Sequence, residues 1–89
     1  MAPPIIEGWT PGSAQCGRAL TLQGQWFGNR RETVNGRVTV DGRDTEILSW
    51  SMTEIEIKVP LTARAGRDRE MIVIAGENVT SAHDLIVSC

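Results

Sequence analysis

Apolar and polar residues alternate with a period of two through most of the chain. Ile55, Ile57 and Val59 alternate with Glu54, Glu56 and Lys58, and the run stops at Pro60. Successive side chains of an extended strand point to opposite faces, so this segment reads as a strand with one face in a core and one in water. Leu20 and Leu22 stand against Thr21 and Gln23 in the same way, and Val38 and Val40 against Arg37 and Thr39. Leu85, Val87 and Cys89 share one parity and make a last strand. Met71 to Ala75 is apolar on both parities, which predicts a central strand or one covered on both sides. Glu46 to Trp50 predicts another strand, ambiguous in register because Ile47 and Leu48 are both apolar. Ile5 and Ile6 follow Pro3-Pro4 and form a short first strand suited to a sheet edge, since proline lacks a backbone donor.

Turn residues separate these runs. Trp9-Thr10-Pro11-Gly12, Ser51-Met52-Thr53 and Ala75-Gly76-Glu77-Asn78 read as turns, and Asp41-Gly42 is a hairpin signal. Two longer polar stretches read as loops: GNRRETVNG at 28–36, with adjacent Arg30 and Arg31, and LTARAGRDRE at 61–70, with Arg64, Arg67 and Arg69 around Gly66. No segment keeps helical periodicity over 11 residues. About seven short strands at this spacing predict an all-β sandwich of two sheets. Its expected core is Leu20, Leu22, Phe27, Val38, Val40, Ile55, Ile57, Val59, Leu85 and Val87. Gly24 and Gly28 bracket Trp26 and Phe27, so the backbone can bend where the second strand ends and drop a ring over the end of the core.

Length narrows this to a single domain over residues 1–89, which should bury roughly 60–65% of its unfolded surface. The content, 40% hydrophobic and 22% charged, is that of a soluble globule, and no apolar run approaches the ~18 residues of a membrane span. MAPPIIEG carries no secretory signal, which predicts either a chain used without Sec export or a mature domain cut from a longer precursor. A net charge of −2 argues against nucleic acid as the main partner. One histidine, His83, read as a surface-turn residue, and two cysteines make a zinc site improbable. A Ser-His-Asp set through His83 is arithmetically open, yet no nucleophile-turn motif supports it, and no phosphate, dinucleotide or calcium loop occurs. No enzymatic activity and no cofactor are expected. Asn78-Val79-Thr80 is a glycosylation sequon that matters only in a secreted eukaryotic chain.

The order of a leading proline-isoleucine pair, a Pro-Gly turn, GRALTLQGQWFG, VTVDG, ILSWSMTEIEIKVP, an apolar strand, a glycine turn and LIV resembles the IPT/TIG group of immunoglobulin-like domains from Pro4 to Val87. The most specific parts are Gly17, Leu20, Leu22, Gly24, Phe27 and Gly28, then Ser49, Trp50, Ser51, Thr53, Ile55, Ile57, Val59 and Pro60. Trp26 and the two cysteines depart from the pattern. The resemblance implies an immunoglobulin-like sandwich in which Cys16 and Cys89 lie at the same end, with inward parities that agree. A single bridge between them and a pair of thiols both stay open, and a bridge would add about 4 kcal/mol by loop-closure entropy.

Three tryptophans stand beside one phenylalanine and no tyrosine. Trp50 matches a family position and is expected to be structural. Trp26, opposite in parity to Phe27, and Trp9 are candidate contacts, because tryptophan dominates binding hot spots. Arg30 and Arg31 join them as a candidate contact surface for an acidic partner, set against a solvated mixed-charge loop. The expected function is a non-catalytic interaction or structural module. One form is a decoration or accessory subunit of a larger assembly such as a phage virion, docked on protein partners and free to oligomerise. The alternative is an extracellular protein- or carbohydrate-binding module excised from a surface protein or carbohydrate-active enzyme. A DNA-associated domain is disfavoured by the charge, and no membrane partner is expected.

Overall fold

A computed structural model describes residues 4–28, 36–61, 65–75 and 78–88. Among these residues are nine strands: β1 (Ile5–Thr10), β2 (Ala14–Gln15), β3 (Ala19–Gln25), β4 (Arg37–Val40), β5 (Arg43–Asp44), β6 (Glu46–Trp50), β7 (Glu54–Lys58), β8 (Gly66–Ala75) and β9 (Asn78–Ser88). They form a four-stranded sheet in the order β1-β3-β7-β6 and a five-stranded sheet in the order β2-β9-β8-β4-β5. Every pairing is antiparallel except β2 with β9, which is parallel. This is an immunoglobulin-like β-sandwich.

The alternating residues meet between the sheets. Leu20, Leu22, Ile55 and Ile57 come from the four-stranded sheet, and Val38, Val40, Met71, Val73, Leu85 and Val87 from the five-stranded one. Each is at most 2% exposed. Phe27, Val59 and Ala14 close the ends of this layer. No polar or charged residue among those described is buried, so the core makes no demand for internal hydrogen bonding beyond the backbone. Each large side chain removed from water here contributes about 1.5–3 kcal/mol.

The strand count exceeds the expected seven because β2 and β5 are two-residue strands, too short to show a period. β5 follows the Asp41-Gly42 turn, where φ is positive at both residues (52° and 79°), as a type I′ hairpin requires. The ambiguous register of β6 is resolved by a bulge. Ile47 pairs with Ile57 and Ser49 with Glu56, so Leu48 is the extra residue and stands 47% exposed. A second bulge at Glu7 interrupts β1, which lies at the sheet edge. Both edges of the four-stranded sheet are therefore bulged, and both edges of the other are two residues long, which blunts pairing with other chains.

Four expectations need correction. β1 extends through Trp9 and Thr10, so the first turn begins later than the sequence suggested. The stretch at 61–70 is not wholly loop: β8 starts at Gly66, and Arg67 and Arg69 belong to it. His83 lies in a strand, not a turn. The last strand begins at Asn78, seven residues before Leu85. In the last three cases polar residues extend the β8–β9 ladder, which needs only backbone groups, and register shifts at Gly66–Arg69 and Arg69–Met71 hide the period. Met71–Ala75 is central, as one of its two readings had it, with Met71, Val73 and Ala75 buried and Ile72 and Ile74 half-buried on the outer face.

Candidate interaction surface

At the end of β3 the chain must turn over the core, and three residues define how. Gly24 is buried, and a side chain there would run into the carbonyl oxygen of Ile5 and the Phe27 ring, so only glycine fits. Phe27 is fully buried, and its amide donates to the Met52 carbonyl (3.0 Å), while the Gly24 amide donates to that of Thr53 (2.9 Å). Trp50 packs edge-on to Phe27, with ring centres 6.3 Å apart, and its indole Nε1 donates to the Phe27 carbonyl (3.1 Å). Gly36 lets the Trp50 ring approach the start of β4.

Between these anchors stands Trp26, 48% exposed and with φ of 66°. A left-handed backbone is rare for a bulky residue and costs on the order of 1–2 kcal/mol. Gly24 and Phe27, bonded to the turn between β6 and β7, over-determine the geometry and push the indole outward.

Trp26 follows directly on Gln25, the last residue of β3. Gln25 and Gln23 are exposed on β3, with Thr21 half-buried beyond them. On β7, Glu54 pairs with Gln23 and Glu56 with Thr21. Amides offer both donors and acceptors, and carboxylates offer acceptors alone. An exposed indole one residue beyond such a strip suits a ligand with apolar faces and many hydroxyl groups.

Trp9 does not assemble with Trp26. Trp9 pairs with Leu22, three residues before the last residue of β3, which is about 10 Å of strand. Trp9 is half-buried against the core, and its indole Nε1 donates to the Gly12 carbonyl at 3.3 Å. Arg30, Arg31 and Arg64 lie outside the described residues, as does Cys89. Cys16 is disulfide-bonded and packs against the core, and its amide donates to the carbonyl of Ser88 (2.9 Å), the residue before Cys89.

Sequence reasoning missed one row of chemistry. On the outer face of the five-stranded sheet, Glu70 Oε2 lies 3.3 Å from His83 Nδ1, and His83 Nε2 lies 3.2 Å from Ser81 Oγ. Ser81 and His83 are two residues apart on one strand, a spacing that would have revealed their shared face had the strand been recognised. The His83 and Glu70 side chains are 70% and 46% exposed, so water solvates the row. No group of three or more histidine, cysteine or acidic residues among those described is placed to hold a metal ion. No helix among them is long and apolar enough to cross a membrane.

The two sheets and their strand order define an immunoglobulin-like module. The chain belongs to the IPT/TIG domain family, whose model matches residues 4–87. It is 35% identical over 78 residues to the cyclomaltodextrin glucanotransferase of Bacillus sp. (strain 1-1), covering 88% of this chain and 10% of that enzyme. It is 34% identical over 80 residues to the same enzyme of Paenibacillus macerans, covering 89% and 11%. The chain thus spans about a tenth of the length of the curated relatives it matches. Among solved structures, the gamma-CGTase of alkalophilic Bacillus clarkii superposes with a TM-score of 0.79 at 20% identity, over 97% of this chain and 12% of that one. An auxiliary nutrient binding protein of Bacteroides thetaiotaomicron superposes with a TM-score of 0.78 at 22% identity, over 99% and 21%. These two likenesses establish the fold.

Proposed function

We propose that this domain is a non-catalytic interaction module of a larger extracellular, carbohydrate-handling protein, and that it contacts neutral glucan through Trp26 and the neighbouring strip of Gln25, Gln23 and Glu54. The observation that carries this reading is Trp26 itself. A large aromatic ring is held out in solvent on a backbone conformation that a plain turn would give to glycine. The relatives supply the ligand class: glucanotransferases share a third of their residues with this chain over the matched segment. The nutrient-binding neighbour has the same sandwich. The disulfide at Cys16 fits an oxidising compartment, as an extracellular setting supplies. These observations favour the surface-module reading over a virion decoration subunit, which none of the relatives named above supports.

Affinity electrophoresis through gels containing soluble starch, with cellulose derivatives and xylan as comparisons, tests the reading. The native chain should be retarded by starch, and Trp26→Ala should migrate as if starch were absent while remaining folded. Equal mobility of the native chain in every gel would refute it.

A further inference from the structure

We infer that the outer face of the five-stranded sheet, on the opposite side of the sandwich from the strip beside Trp26, is an interface between two copies of this chain. The Met71–Ala75 half of β8 is apolar on both parities, yet the core needs only Met71, Val73 and Ala75 from it. Ile72 and Ile74 point the other way and are half-buried by their neighbours alone. Val79, paired directly with Ile74, is 59% exposed. Together they form a contiguous aliphatic patch on a surface of paired strands, the kind of patch that marks an interaction site.

The order of residues along the patch selects the occupant. Three outward rows cross β9 and β8: Val79 with Ile74, Ser81 with Ile72, and His83 with Glu70. Each row joins two different but compatible side chains. A second copy related by a two-fold axis running between β8 and β9, parallel to the strands, sets each residue of β8 opposite the β9 residue of its own row. Val79 of one copy then meets Ile74 of the other, Ser81 meets Ile72, and the imidazole of one copy meets the carboxylate of the other. No like charges are opposed, and every contact occurs twice, as an isologous interface requires. A glycan finds no partner for its hydroxyl groups on the Val79–Ile74 row. The three rows supply six residues per copy, fewer than the roughly 20–30 a side of a standard stable complex, so the dimer is a weak one.

Sedimentation equilibrium between about 10 μM and about 1 mM tests this, with a non-reducing gel to identify covalent pairs. The weight-average mass should rise from one chain toward two. Ile74→Glu and Val79→Glu should each weaken association at least tenfold, while Trp26→Ala leaves it unchanged. Glu70→Lys should weaken it, and adding His83→Glu should restore it. If Ile74→Glu loses its native circular dichroism, the more exposed Val79→Glu decides. A native chain that stays monomeric throughout overturns the inference, as does association unaffected by Val79→Glu.

Discussion

Trp26 combines two properties that one side chain rarely serves at once. Its ring is half in solvent, and its backbone occupies a region that disfavours any Cβ. The strain and the ring can be separated by comparing two substitutions, because both remove the indole and only one removes the Cβ. Trp26→Gly should be more stable than Trp26→Ala by about 1 kcal/mol, the difference in cost of a left-handed residue. Urea unfolding of the two variants measures it. Equal midpoints would mean that the turn relaxes when the ring is gone and that the strain is set by the indole, not by Gly24 and Phe27. Neither variant should be retarded by starch, so stability and binding would part company at this one position.

At the scale of elements, the strands that could be read from the chain are those with one wet face. Leu20 and Leu22, and Ile55, Ile57 and Val59, alternate cleanly because β3 and β7 lie side by side in the middle of a sheet with solvent on the other surface. The Asp41-Gly42 hairpin was equally legible, since positive φ at two consecutive positions leaves few residue choices. Gly42→Ala should therefore cost about 1–2 kcal/mol even though nothing lies within 4 Å of the added methyl group. Gly12→Ala, equally open but outside the left-handed region, should be close to neutral. Thermal melts of the two variants give the contrast, and a neutral Gly42→Ala would show that the hairpin tolerates another turn. Other features left no mark in the pattern. The first half of β9 is polar because backbone pairing with β8 holds it, so no apolar period announces it. β2 and β5 are too short for a period, and the bulge at Leu48 appears in sequence only as two adjacent apolar residues. Of the contact surface, the parity conflict between Trp26 and Phe27 was visible. The strip beside Trp26 and the Glu70–His83–Ser81 row depend on cross-strand register, which a single sequence does not display.

For the whole molecule, the question is what ties the two ends of the chain to the sandwich. β2 and the end of β9 pair in parallel through Ala14 with Val87 and Gln15 with Ser88, the smallest strand pairing that joins distant parts of the chain. Two such residue pairs hold little by themselves, and strand β2 is also a sheet edge. The disulfide at Cys16 strengthens this corner. Cys89 is the only other cysteine in the sequence, so a bond within one chain must join it to Cys16 and close a loop of roughly 70 residues, worth about 4 kcal/mol through the entropy of the unfolded chain. Small domains commonly have only 5–15 kcal/mol of stability in total, so this one bond is a large share. Reduction, or Cys16→Ser, should then lower the urea midpoint substantially while leaving the buried alternation of β3 and β7 able to fold. The same experiment discriminates the two ways two cysteines can pair. A bond within the chain leaves a monomer on a non-reducing gel and a concentration-independent loss of stability on reduction. A bond between chains gives a covalent dimer instead, and would place the corner at β2 and β9, rather than the face of β8 and β9, at the centre of any assembly.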